Sequence, residues 1–351
     1  MPSREDAKKA LDAVIKKSRV HFYKPIQIAE ILYHNRMFRD IDFADLETYR
    51  TKSKKWRDTV CIELLGRKCT SSSKFQDNLF DNNAIPPSIM VILGEENERT
   101  DGAVEAYIYR HFTNKYNQLE NALNYCLEAT KENFYVKKLI DSFWNEPGLK
   151  RSLDKIYEIV VYALFSTLVN TMDMKVEVAI DRSKVELLSE FEDFTKKVMC
   201  LDIQHMSHTQ DAHVYRVGVT NAADRGLDMY SNWGPAIQIK HLSLDVELAE
   251  DIVNSVSSDR IVIVCKDAEE DVIVSLLTQI GWQSHIQSIV TENNLITWYE
   301  KALRGKYSHL LGENLLATLA EEIALEFPSV DRIPPILKER HYEKIKDSYW
   351  S

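Results

Sequence analysis

No glycine-rich phosphate loop occurs in this sequence. GxxxxGK[ST] is missing, and Gly305-Lys306 lacks the upstream glycine, which argues against NTP-driven translocation. A GxGxxG dinucleotide turn and an Asp-Pro-Pro-Tyr-like run are also absent, so dehydrogenase and methyltransferase readings lose their cofactor cradle. Nothing resembles a Ser-His-Asp elbow. The five cysteines (Cys61, Cys69, Cys126, Cys200, Cys265) are odd in number, scattered and free of any CxxC pair, as expected of unpaired thiols in a reducing cytoplasm. No apolar run reaches the ~18–20 residues that span a bilayer; the longest, 159–169, is broken by Ser166 and Thr167. The first residues are charged and lack the apolar stretch of a secretion signal, so a cytoplasmic location without membrane contact is expected. Internal repeats and low-complexity tracts are absent.

What is there is the composition of a globular protein, 44% apolar and 28% charged, long enough for one large domain with an extension or for two. The net charge of −10 is unevenly spread. Between Arg50 and Lys74 lie eight basic residues (Arg50, Lys52, Lys54, Lys55, Arg57, Arg67, Lys68, Lys74) opposed only by Asp58 and Glu63. A smaller basic cluster (Lys16, Lys17, Arg19, Lys24) precedes it. An acidic protein with one basic segment can bind phosphate locally while its other faces repel nucleic acid. The plainer reading is a solvated basic face. Trp56 and Tyr49 interleave with the cations, and Tyr23, Lys24 and Gln27 are base-contact candidates whose plain alternative is the start of a helix.

Apolar spacing predicts helices over 6–17, from Pro25 onward through Ile28, Ile31 and Leu32, and over 101–127, with a loop at 69–88 where Ser, Asn and Pro cluster. After Pro147-Gly148 the pattern alternates. A helix apolar on nearly all sides (153–168) precedes a strand (176–180) and a helix (183–198). Strand-like runs follow at 213–219, around 226–229 and at 236–242. A helix (246–256), a doubly buried strand (260–265), a helix (269–280) and a strand (288–290) complete an α/β plan, with a helical tail from Gly312. The organisation expected is a mostly helical region at 1–150 that grips DNA, a core at 151–305 and a helical extension at 306–351.

The informative stretch places Asp228 in one strand and Gln238-Ile239-Lys240 in another, with Gly234-Pro235 turning between them. Side chains alternate along a strand, so Gln238 and Lys240 share a face and Ile239 points into the core. A hairpin then brings a carboxylate, an amide oxygen and an ammonium together. Phosphodiester hydrolysis needs such a set. The phosphate repels hydroxide, a hard cation such as Mg²⁺ binds oxygen ligands and activates water, and a lysine steadies the developing charge. Glu158 is an unusual acid among Ile156, Ile159, Val160 and Val161. It either serves the metal, directly or through another ligand, or faces solvent at the helix edge. Asp224 is a further acid, otherwise a turn residue. His205, His208 and His213 lack the paired spacing of a structural zinc site, and His241 points away from Lys240.

These residues resemble the PD-(D/E)XK nuclease motif. Thr220-Asn-Ala-Ala-Asp-Arg-Gly-Leu-Asp-Met229, Gln238-Ile-Lys-His-Leu242, Ser18-Arg-Val-His-Phe-Tyr-Lys-Pro-Ile-Gln-Ile-Ala-Glu-Ile-Leu32 and Lys155-Ile-Tyr-Glu-Ile-Val-Val-Tyr-Ala-Leu164 resemble the HaeII family of type II restriction endonucleases. The resemblance implies a restriction-endonuclease-like mixed sheet flanked by helices. It also implies Mg²⁺-dependent double-strand cleavage of a short GC-rich palindrome of the RGCGCY type, leaving 5′-phosphate and 3′-hydroxyl, and a cognate methyltransferase that protects host DNA. Asp228 matches the motif aspartate, Gln238 the acidic position and Lys240 the lysine; catalysis is expected from these with Glu158, and metal ligation from Asp228, Gln238 and Glu158. Gln238 departs from the usual Asp or Glu and adds no charge, which puts a second metal in doubt. DNA contact is expected at Lys24, Arg50, Lys52, Lys54, Lys55 and Arg57. A palindrome and one centre per chain imply a homodimer. A repair or recombination nuclease that cuts by DNA structure, and a sequence-specific DNA-binding protein without catalysis, are the alternatives.

Overall fold

The computed structural model describes residues 2–69, 73–81, 84–217, 227–256, 258–269, 285–327, 335–346 and 350, with 271, 273 and 278. The chain divides into two compact units. One holds Met1–Glu128, Lys138–Ile156 and Glu321–Ser351; the other holds Ala129–Lys137 and Tyr157–Ala320. Among the described residues no helix is long and apolar enough to cross a membrane.

The first unit is helical. Its main elements are α1 (Arg4–Lys17), α2 (Tyr23–Phe38), α3 (Lys52–Leu65), α4 (Pro87–Arg99) and α5 (Ala103–Leu127), followed by most of α6 (Val136–Asn145). Ser3 starts α1 with a capping box. Its hydroxyl accepts from the Asp6 N–H at 3.2 Å, and the Asp6 carboxylate accepts from the Ser3 N–H at 2.8 Å. Helix α2, with Pro25 in its first turn, is buried along most of its length and anchors the core with Ile26, Ile28, Ile31 and Leu32. The loop expected at 69–88 is partly helical, with a turn at Ser73–Gln76, a π-type turn at Asp77–Asp81 and α4 opening on Pro87. The reason is burial: Leu79 and Phe80 enter the core, and only local hydrogen bonding satisfies their backbone there.

Acids buried in this unit carry partners. Arg340 grips Glu30 bidentately at 2.6 and 3.0 Å, and the Tyr109 hydroxyl donates to the same carboxylate. Arg36 grips Glu105 at 3.0 and 2.9 Å, and Tyr342 donates to it at 2.8 Å. The C-terminal segment thus supplies the counter-charge for an acid of α2.

The second unit carries most of α7 (Leu153–Thr171), a two-stranded antiparallel sheet of β1 (Lys175–Ala179) and β2 (Ser207–Asp211), and a five-stranded sheet. The five strands, in spatial order, are β3 (Val214–Arg216), β4 (Met229–Ser231), β5 (Ala236–Ile239), β6 (Ile261–Cys265) and β7 (Ile286–Thr291). β3, β4 and β5 pair antiparallel, and β5, β6 and β7 parallel. Between β5 and β6 runs α8 (Val246–Ser255), capped by Asp245, whose carboxylate accepts from the Leu248 N–H at 2.9 Å. After β7 come α9 (Glu292–Arg304) and α10 (Ser308–Glu326). All five residues of β6 are buried, as its unbroken apolar run predicts. The sheet and its helices are the restriction-endonuclease-like α/β architecture expected from the sequence.

Two expectations need correction. The helix over 183–198 is divided into short turns (Arg182–Lys184, Val185–Glu190, Glu192–Phe194 and Thr195–Met199), because its apolar residues Leu187, Phe191 and Phe194 remain exposed and no core face holds one continuous helix. The strand expected around 226–229 begins at Met229, so Asp228 precedes it. Most of the helix expected at 269–280 lies outside the described residues.

His21 of the first unit is surrounded unfavourably for a proton. It is largely buried, and the Arg67 guanidinium, which donates to the Glu326 carbonyl, lies against its ring. Burial, and then the Arg67 charge, push its pKa down to about 4. Folding therefore favours neutral His21, while the unfolded chain takes up the proton near pH 6.5. This contribution is complete above pH 6.5 and is lost as pH falls from there toward 4, by an amount on the order of 3 kcal/mol. Urea unfolding of wild type and His21→Gln over that window should show the wild type losing its stability relative to the variant as acid is added. A difference that stays constant with pH would contradict this account.

Candidate active site

Strand β5 sets the geometry. Its register with β6 pairs Ala236 with Ile261 and Gln238 with Ile263, so Gln238 shares the sheet face on which Ile261, Ile263 and Cys265 pack with Ala249 and Ile252 of α8 and with Val256 just after it. Ile237 and Ile239 face the other way and are buried as well. Register with β4 pairs Met229 with Ile237. One step further puts Asp228 across from Gln238, but there the ladder gives way to a side chain. The Asp228 carboxylate accepts the Ile239 N–H at 2.7 Å, while the Asp228 carbonyl accepts from the Val217 N–H at 2.9 Å. The turn joining the two strands needs its glycine, since Gly234 has φ of +122°. Asn232 braces that turn by accepting from the His213 N–H and donating to the Asp211 carbonyl, both at 2.8 Å.

A cleft of about 520 Å³ opens beside β5, lined by Gln238, Lys240, Leu248, Asp251, Ile252, Asn254 and Ser255. Gln238 is 2% exposed, and its Oε1 has no hydrogen-bond partner. A buried amide oxygen left so costs on the order of 1–3 kcal/mol, a cost native proteins tolerate chiefly where a ligand or water completes it. Lys240 is half-buried at the end of the strand, held by its N–H to the Val264 carbonyl at 2.8 Å. Its ammonium makes no hydrogen bond or ion pair among the described residues.

Glu158 lies on α7 and is 6% exposed, so the solvent-facing reading of it is excluded. Its neighbour Tyr157 donates to Glu292 at the start of α9, and Tyr299 of α9 donates to the Val160 carbonyl at 2.8 Å. Neither Glu158 nor Asp228 is among the described residues lining the cleft. Among the described residues no group of three or more His, Cys, Asp or Glu is placed to hold a metal. A structural zinc site at His205, His208 and His213 thus finds no support, and His205 instead pairs with Asp202 at 3.1 Å. The donors beside β5 are all oxygens: the Asp228 carboxylate, the unpartnered Gln238 Oε1 and the Asp251 carboxylate. That chemistry fits a hard, waters-retaining cation such as Mg²⁺. Asp224 lies outside the described residues.

The basic segment divides by burial. Lys52 and Lys55 are exposed on α3 and Lys54 is half-buried. Arg50 is committed to an ion pair with Asp77, and Lys24 lies over the Phe75 ring at 5.3 Å. Arg57 must be reassigned. It is 0% exposed, donating to Gln27 at 2.9 Å, to Asp58 at 2.9 and 2.7 Å and to the Cys69 carbonyl at 3.3 Å. Gln27 is equally buried and donates to Ser53 and Gln76, both at 2.8 Å. Neither reaches the surface. The signal was present in the spacing, because Ser53, Arg57, Val60, Cys61 and Leu64 form one helical stripe. Tyr49 is buried too, and Trp56 stacks on His34 at 3.8 Å.

The mixed sheet with its flanking helices is consistent with a restriction-endonuclease-like fold. Comparison with known proteins agrees. The family model for the HaeII restriction endonuclease matches residues 7–342. The chain is 57% identical over 343 residues to the type II restriction enzyme HaeII of Haemophilus aegyptius, covering 97% of each chain. It is 56% identical over 328 residues to the type II restriction enzyme NgoBI of Neisseria gonorrhoeae, covering 93% of each. No solved structure matches it. The chain belongs to the HaeII restriction endonuclease family and is an enzyme of the site-specific deoxyribonuclease class.

Arg57→Met should lower unfolding free energy by roughly 3–5 kcal/mol, since Asp58 and Gln27 lose a buried partner. Lys52→Ala and Lys55→Ala should stay within about 0.5 kcal/mol of wild type. Urea titration followed by circular dichroism checks both, and an Arg57 variant as stable as wild type would return that residue to the surface.

Proposed function

We propose that this restriction endonuclease makes Mg²⁺-dependent double-strand cuts at a short GC-rich palindrome and leaves 5′-phosphate and 3′-hydroxyl ends. The observation that carries the catalytic reading is the pairing, in one cleft, of an uncommitted Lys240 ammonium with the unpartnered Gln238 oxygen. The finer reading of the target as RGCGCY-type rests on the family resemblance alone.

Asp228 and Gln238 would hold the cation, which when bound neutralises phosphate charge and lowers the pKa of water. The Ile239 N–H fixes the Asp228 carboxylate against the strand, so the acid needs no rearrangement as substrate arrives. Lys240 orients the attacking water and stabilises the negative charge that grows on the phosphoryl oxygens. Water attacks phosphorus and gives up a proton as the bond to the 3′ oxygen breaks. The 3′ oxygen leaves as a hydroxyl after protonation. Glu158 is proposed as a supporting acid acting from α7. Lys24, Lys52, Lys54 and Lys55 are proposed to position the backbone of double-stranded DNA, with Arg50 joining them if its pair with Asp77 opens.

A single centre per chain and a palindromic target call for two copies, each cutting one strand. Exposed Met172, Leu187, Phe191, Phe194, Val198 and Met199 support a homodimer, because soluble surfaces seldom leave so many apolar side chains bare in one segment. A cognate methyltransferase would protect host DNA without stable binding, and a cytoplasmic location suits both activities.

Purified enzyme incubated with plasmid and Mg²⁺ should give discrete fragments. Sequence-independent degradation would favour a structure-specific nuclease, and no product a binding protein. Asp228→Ala and Lys240→Ala should each lose cleavage by roughly 10²–10³-fold or more while still retarding the duplex in a gel; normal cutting by Lys240→Ala discards the mechanism. In sedimentation equilibrium the wild type should have the mass of two chains, and Phe191→Asp/Phe194→Asp the mass of one. A wild type that sediments as a single chain at all concentrations rejects the dimer.

A further inference from the structure

The position that usually carries the second acid of such a centre holds Gln238, an oxygen donor without charge. The cleft beside it contains a carboxylate that no motif points to. Leu248, Asp251, Ile252 and Ser255 follow one another at i, i+3, i+4 and i+7, so they share one stripe of α8. Ile252 is buried in the core against the strands, which turns that stripe toward the sheet. Asp251 rides on it and meets the same cleft as Gln238 and Lys240. Apart from the Lys240 ammonium and the apolar Leu248 and Ile252, the rest of the cleft lining is neutral and oxygen-bearing. Asn254 lines it, and Ser255 lines it with its hydroxyl donating to the Ile252 carbonyl at 3.1 Å. Asp251 makes no ion pair or hydrogen bond with its side chain among the described residues.

An exposed acid on a helix is ordinary by itself. What distinguishes this one is Gln238, whose Oε1 is buried, unpartnered and lines the same cleft. That oxygen accepts no hydrogen bond within the chain and is open to a cation, and one neutral oxygen with Asp228 supplies a single negative charge. Mg²⁺ sites commonly use one or two carboxylates.

We propose that Asp251 provides the second carboxylate of the metal centre, from α8, in place of the acid that β5 lacks at Gln238. The inference rests on the cleft being the active centre. It implies that the charge at Gln238 and the charge at Asp251 are interchangeable.

The test uses the full chain and Mn²⁺ as the probe, titrated into DNA-free enzyme and followed by loss of the free-ion paramagnetic resonance signal. Asp251→Asn should weaken Mn²⁺ binding by roughly 10–100-fold and raise by a similar factor the Mg²⁺ concentration needed for half-maximal cleavage. Gln238→Glu placed in the Asp251→Asn chain should restore much of both. Glu250→Gln, the adjacent acid outside the cleft, should change neither. Asp251→Ser repeats the measurement, so that a folding defect in one variant, seen as a lowered melting temperature, leaves the other to decide.

Wild-type Mn²⁺ affinity and Mg²⁺ dependence in Asp251→Asn would overturn the proposal, as would a loss that Gln238→Glu leaves unrepaired. Should Asp228→Ala and Lys240→Ala also cut normally, the cleft is not the active centre and both readings fall together. If those two are inactive while Asp251→Asn behaves as wild type, the cleft keeps its role and Asp251 alone is set aside.

Discussion

One hydrogen bond organises the candidate centre of this enzyme: the Ile239 N–H donates to the Asp228 carboxylate at 2.7 Å. In a regular antiparallel ladder that N–H would find a carbonyl on β4. Here the pairing stops at Met229 and Ile237, and an acid takes the place of the next carbonyl. The carboxylate is thereby tied to the backbone of the residue between Gln238 and Lys240. The pleat of β5 does the remaining positioning, since residues two apart must share a face. β5 is in turn held by β6, buried at every residue, so the site rests on the most deeply packed part of the sheet.

Buried polar groups differ in what meets them. Arg57, Gln27, Ser53 and Gln76 form a connected set of hydrogen bonds inside the helical unit, and Glu30 and Glu105 are each gripped by an arginine. These bonds are made within the chain and hold the helical unit together, although the Gln76 Nε2 beside them has no partner. Gln238 is just as buried, yet its oxygen has no partner. That oxygen lines the cleft shared with Lys240, and under the proposed function it is where the cation would bind.

The cationic surface is smaller than its residue count. Of the cations between Arg50 and Arg57, one is enclosed in the core and one is paired with Asp77, leaving the lysines of α3 as the accessible charge. Lysine suits that role, because a flexible ammonium can follow a phosphate backbone without specifying bases. Under the proposed function base reading would come from side chains elsewhere, since Gln27 and Arg57 are enclosed in the core.

Local pattern was enough to read much of this protein. Strand β6 announced itself by an unbroken apolar run, the helices by their spacing, and the shared face of Gln238 and Lys240 by the two-residue period of a strand, all of which depend on neighbours in the chain. The long motif strings likewise pointed to the family that comparison then established. Tertiary packing decided the rest. Whether Arg57 is a surface cation or a core residue depends on Gln27 and Cys69, distant in the chain, closing around it. Whether Leu79 and Phe80 belong to a loop or a helical turn depends on a core to enter. Asp251 lacks any motif, and only the packing of Ile252 against β6 brings it to the cleft of Gln238. Periodicity specifies which side of an element a residue occupies; what stands opposite that side is determined by contacts between segments that the linear order does not encode.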